Sequence, residues 1–73
     1  MLFRSLFEDL RRWRSQQAKA ASVPAFVIFD DKTLTEVAAR RPADRAALLD
    51  VPGIGPVKLE RYGDDLLSVV AQH

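Results

Sequence analysis

Apolar residues recur every three to four positions along most of the chain, and that rhythm predicts helices. Phe3, Leu6, Phe7, Leu10, Trp13 and Gln17 share one stripe, so an amphipathic helix is expected from Leu2 to about Ala21. Arg4, Glu8, Arg11 and Ser15 lie on its flank, where Glu8 can pair with Arg4, Arg11 and Arg12. Ser22-Val23-Pro24 ends it, because a residue before proline disfavours helical dihedrals. Pro24 suits the first position of a second, short helix. The run Ala25-Phe26-Val27-Ile28-Phe29 also fits a buried strand by pattern alone. With no second strand to pair with it, one helical turn followed by an extended, buried link is expected instead.

Asp30 or Asp31 can cap a third helix, and Thr33 to Glu36 offers an alternative capping box two residues later. Leu34, Val37 and Ala38 form its apolar face, Arg40 and Arg41 complement the carbonyl end, and Pro42 stops it. Asp44 caps a fourth helix, Arg45 to about Asp50, with Ala46, Leu48 and Leu49 expected to face inward. Val51-Pro52-Gly53-Ile54-Gly55-Pro56 is a dense Gly/Pro turn, in which Gly53 suits a left-handed helix end and Pro56 a new helix start. The last helix runs from Pro56 or Val57 to about Ala71 on the stripe Leu59, Tyr62, Leu66, Val69 and Val70. Gly63 interrupts it at a cost of about 1 kcal/mol, which implies a close helix–helix contact or a break. The expected fold is all-α, a compact bundle of about five short helices with local contacts.

Composition narrows the class. A chain of 73 residues makes one domain, burying roughly 60% of its unfolded surface. It is 48% apolar and 29% charged, which excludes an intrinsically disordered tract. There is no cysteine, hence no disulfide or thiolate metal site, and this fits a cytosolic protein. No apolar run approaches the ~18 residues of a membrane span, and Arg4, Glu8 and Asp9 break any secretory signal. The net charge of +1 argues against a strongly basic nucleic-acid clamp. Basic residues nevertheless gather at Arg11-Arg12-Trp13-Arg14, at Arg40, Arg41 and Arg45, and at Lys58 and Arg61.

Little here resembles a catalytic centre. The lone histidine, His73, is the last residue, where chains fray. The acidic pairs Asp30-Asp31 and Asp64-Asp65 have plain uses at helix starts or on solvated faces, or on a surface that docks a basic neighbour. No G-x-x-x-x-G-K-[ST] loop is present to hold a nucleotide. The turn containing Gly53 and Gly55 is a candidate phosphate site: a helix start presents backbone donors, and Lys58 and Arg61 follow within two turns. Pro56 removes one of those donors, and a plain helix–helix turn is the other reading. Phe26 either fills the core or stacks on an unpaired base. Trp13 either packs half-buried or joins an aromatic–basic patch with the arginines around it.

Two segments carry a family resemblance. Val23-Pro24-Ala25-Phe26-Val27-Ile28-Phe29-Asp30-Asp31-Lys32-Thr33-Leu34 resembles the first signature of the helicase and RNase D C-terminal (HRDC) domains. Val51-Pro52-Gly53-Ile54-Gly55-Pro56-Val57-Lys58-Leu59-Glu60-Arg61-Tyr62-Gly63 resembles the second, at matching spacing and with Arg41-Pro42 ahead of the fourth helix. The resemblance implies a non-catalytic accessory module of a RecQ-type DNA helicase, a UvrD-like helicase or an RNase D-type exonuclease, with no cofactor of its own. It implies a cytoplasmic, nucleoid-associated monomer that contacts single-stranded or partly duplex DNA and other domains of its parent. The nucleic-acid residues it points to are Phe26, Lys58 and Arg61, with Gly53, Gly55 and Arg41; Asp30, Asp31, Asp64 and Asp65 would form an interaction surface. The turn also resembles a helix-hairpin-helix element, from which Leu59 departs where a small residue is usual.

Overall fold

The computed structural model describes residues 5–73. Five helices follow one another with short links: α1 Leu6–Ala21, α2 Ala25–Ile28, α3 Asp31–Arg40, α4 Arg45–Leu49 and α5 Pro56–Ala71. The expected all-α bundle is what forms, and no strand occurs among the described residues. The first helix was expected from Leu2, of which Leu2, Phe3 and Arg4 lie outside the described residues; Ser5 is extended, with φ of −73° and ψ of 157°, so α1 starts at Leu6 instead.

Each helix starts where its side-chain chemistry permits. Ser5 caps α1 by accepting from the Glu8 amide at 3.1 Å. Asp30 caps α3 through the Thr33 amide at 2.8 Å, and Asp44 caps α4 through the Ala47 amide at 2.8 Å. The capping-box start two residues later is therefore not used. Pro56 opens α5 at its first turn. Ser22 and Arg41 close α1 and α3 in left-handed conformation, with φ of 56° and 46°. Between α2 and α3, Phe29 is extended and almost wholly buried, as the apolar link was expected to be.

Helix α1 is the hub, packing on α2, α3 and α5, while α4 packs on α5. The core comprises Leu6, Leu10, Trp13 and Ala18 of α1; Ile28 and Phe29; Leu34 and Val37 of α3; Leu48; Val51 and Ile54; and Leu66 and Val70 of α5. Trp13, Phe29 and Tyr62 form an aromatic cluster with ring centroids 5.7–6.0 Å apart. Trp13 is 8% exposed, deeper than the half-buried position expected of it.

Ala46 and Leu49 do not face inward: in the five-residue α4 only Leu48 is buried, because so short a helix presents one position to α5. Of the two alternatives at Gly63 the break does not occur, since α5 is continuous; a Cβ there would crowd Leu59 Cδ1 of the same helix at 2.9 Å and meet Leu48 Cδ2 of α4 at 3.7 Å, an ordinary contact distance, so this buried glycine sits where α4 packs on α5. Arg14 is not part of a surface basic patch. It is 7% exposed, donating to the Phe29 carbonyl at 2.9 Å and pairing with Asp31 at 2.8 Å.

Candidate nucleic-acid interface

Three of the four large apolar residues exposed among those described lie on α2 and the start of α5, the fourth being Leu49 of α4. Phe26 is 70% exposed and Val57 69%, with Val27 beside them at 45%. Helical geometry explains both large values. Phe26 lies about 200° around the helix from the buried Ile28, and Val57 about 200° from Leu59 on the core stripe. Among the described aromatic residues Phe26 alone is exposed. A groove of about 260 Å³ runs between α2 and α5, lined by Val23, Val27, Val57, Lys58, Arg61 and Tyr62 among others.

Two cations border this groove in different states. Arg61 is exposed and makes no ion pair or hydrogen bond among the described residues. The Lys58 ammonium donates to the Val27 and Ile28 carbonyls at 3.0 and 2.7 Å, and it stands 5.0 Å from the Phe29 ring centroid. It thereby ties α5 to the carbonyl end of α2.

The glycine turn is built for internal packing. Gly53 has φ of 95°, and a Cβ on it would lie 2.2 Å from Thr33 Oγ1. Its bare Cα lets the turn seat against the start of α3. Gly55 caps α5 with ordinary φ of −99° and open space around it. No side chain caps that helix start.

Arg41 stands apart from this face. It borders a second groove with Pro42, Ala43, Leu67, Val70 and Ala71. Leu67 to Val70 lie roughly 14–18 Å along α5 from Lys58, at about 1.5 Å per residue. The structure thus sets Lys58 and Arg61 on one groove with Val27, the residue after Phe26, with Gly55 at the same helix start, and leaves Arg41 elsewhere.

The acidic residues are mostly engaged within the domain. Asp30 caps α3; the Thr33 hydroxyl and amide donate to its carboxylate and hold its pKa below the usual range. Asp31 pairs with Arg14, and Asp64 with Arg45 at 2.7 Å, joining α5 to α4. Asp65 is exposed and without a partner among the described residues. His73 lies 2.6 Å from Asp9, closing the end of the chain against α1. Among the described residues no three His, Cys, Asp or Glu side chains gather as metal ligands would. Nor is any helix long and apolar enough to cross a membrane.

Sequence reasoning did not single out Val57, Arg14's burial or the capping by Lys58. The first was legible, since Val57 falls opposite the α5 core stripe. The other two depend on long-range contacts, over 15 residues for Arg14 and 30 or 31 for Lys58, which no local pattern encodes.

The comparisons with known proteins agree on one family. The model for the HRDC domain matches residues 3–70. The ATP-dependent DNA helicase UvrD2 of Mycobacterium tuberculosis is 49% identical over 65 residues, covering 89% of this chain and 9% of that protein. The ATP-dependent DNA helicase RecQ of Pasteurella multocida is 36% identical over 70 residues, covering 96% of this chain and 11% of that protein. The chain therefore spans about a tenth of the length of these curated relatives. The solved structure of Deinococcus radiodurans RecQ HRDC domain 3 superposes with a TM-score of 0.90 at 38% identity, over 93% of this chain and 90% of that one.

Proposed function

The chain belongs to the HRDC domain family, an accessory module of helicases, and from that premise we propose that it binds single-stranded DNA through the Phe26, Val57 and Arg61 face. The parent is then a DNA helicase of the UvrD2 or RecQ kind, acting in the cytoplasm on DNA, with the motor in other domains. The module holds the unpaired strand near that motor, as a monomer, and adjusts which DNA structures are unwound.

The observation that carries this reading is the exposure of Phe26 in a domain that shelters its other described aromatic rings. An aromatic face in water beside an unpaired guanidinium fits a nucleobase stacked on the ring and its phosphate on Arg61. Any base offers a π face, so the contact is tolerant of sequence. The docking alternative through acidic surface has less support, because Asp30, Asp31 and Asp64 already have partners inside the domain.

A titration of fluorescently labelled oligo-dT at two salt concentrations tests this. Binding is weak and salt-dependent, with a log–log slope of about −0.7 for each contacted phosphate. Phe26→Ala weakens it about 5- to 150-fold, the range for losing one stacked base. Absence of binding at low salt and high protein concentration would refute the reading.

A further inference from the structure

Resting on that reading, we propose that Lys58 is a positioning residue for the turn that carries Phe26 and not a phosphate ligand. Helix α2 has four residues, too few to persist on their own hydrogen bonding. No side chain caps its start, and the carbonyls at its end lack partners along the helix. Ile28 and Phe29 anchor one side of the segment in the core, while Phe26 projects from the other. Lys58 supplies what the turn lacks, donating to the Val27 and Ile28 carbonyls immediately after Phe26.

An ammonium has three donors and no acceptor. Two are engaged with those carbonyls, and the charge faces the Phe29 ring, an attraction that strengthens with partial burial. One N–H remains, but a phosphate that drew the ammonium away from the carbonyls would strip both of their donor and loosen the turn presenting the base-stacking ring. Arg61, one turn further along α5, is free of such ties and serves as the phosphate contact.

The two roles leave different signatures in Lys58→Met, which keeps the aliphatic stem and removes the donors. Wild type, Lys58→Met and Arg61→Gln are compared by oligo-dT titration across salt and by amide hydrogen exchange without DNA. For Arg61→Gln the salt slope falls in magnitude by about 0.7, and exchange is unchanged. For Lys58→Met the slope stays as in wild type while affinity falls by the same factor at every salt concentration. Exchange of the Val27 and Phe29 amides, which bond to Pro24 and Ala25 carbonyls, accelerates about tenfold or more, and that of Leu66 in α5 does not. Added to Phe26→Ala, Lys58→Met weakens binding no further.

A slope reduced by about 0.7 with wild-type exchange in α2 overturns the assignment and makes Lys58 a phosphate ligand. Lys58→Gln, read the same way, replaces the methionine variant if that fails to fold. Failure of the wild-type domain to bind oligo-dT refutes the face itself. The exchange experiment still decides the capping role: unchanged α2 exchange overturns it, and faster exchange supports it.

Discussion

Gly53→Ala separates a glycine needed by the fold from one serving a ligand. The backbone at Gly53 has φ of 95°, outside the range an L-residue adopts easily. Forcing a side chain there costs roughly 1–2 kcal/mol. The new Cβ would also lie 2.2 Å from Thr33 Oγ1 and 3.3 Å from Thr33 Cβ. Thr33 is 5% exposed, and its amide is fixed on Asp30, so it has little room to yield. Relieving such an overlap adds about 1–3 kcal/mol. The sum, about 2–5 kcal/mol, compares with a total stability of roughly 4–11 kcal/mol for a chain this size. At about 4–8 °C per kcal/mol, the melting midpoint falls by at least about 8 °C.

Gly55→Ala is the internal control. Its φ of −99° is ordinary and nothing lies within 4 Å of the added Cβ. Replacing a glycine cap by alanine costs under about 1 kcal/mol, and the stiffer unfolded chain returns about 0.4–1 kcal/mol, so the midpoint falls by no more than about 5 °C. Circular dichroism melts of the two variants decide the matter. Thr33→Ala in the Gly53→Ala background recovers the overlap cost and leaves the backbone cost. Equal midpoints for the two glycine variants would refute the reasoning, as would a loss under about 4 °C for Gly53→Ala.

Three further variants probe the buried polar contacts and the α3 cap. Arg14→Met leaves the Phe29 carbonyl without its donor, costing about 1–3 kcal/mol, whereas Asp31→Ala removes only the 72%-exposed partner and costs under about 1 kcal/mol; denaturant melts rank them. Asp30 has its pKa lowered in the folded state, so its charge stabilises the fold above the unfolded value of 3.8 and ceases to do so as pH falls through the lower folded value. Asp30→Asn therefore melts below wild type near neutral pH, and the gap closes under acid; a gap unchanged across that window contradicts the capping charge.

Three helix starts were legible in the sequence because they are local chemistry, whereas the apolar rhythm of the first segment hid the Ser5 cap. Asp30, Asp44 and Pro56 each act within three residues of their own position. The extended link after α2 was legible because Phe29 precedes a cap and continues an apolar run. The short α4 misled, since Ala46 and Leu49 are apolar without being buried and five residues carry too little periodicity to orient a helix. Arg14 misled for the opposite reason: a charged residue among arginines reads as surface, and only the fold places the Phe29 carbonyl where its guanidinium can reach. At the candidate site Phe26 and Arg61 stood out by type and motif. Lys58 did too, but its tie to α2 is a tertiary contact that the motif conceals.

The central claim is that α2 and the start of α5 form a single-strand-binding face. Amide and methyl NMR shifts followed during addition of unlabelled oligo-dT test it most directly. Shifts are expected to centre on Phe26, Val27, Val57 and Arg61, with Arg41 and the α1 residues Arg11 and Arg12 unmoved, and to be lost in Phe26→Ala. Shifts confined to the groove beside Arg41, or along α1, would contradict it.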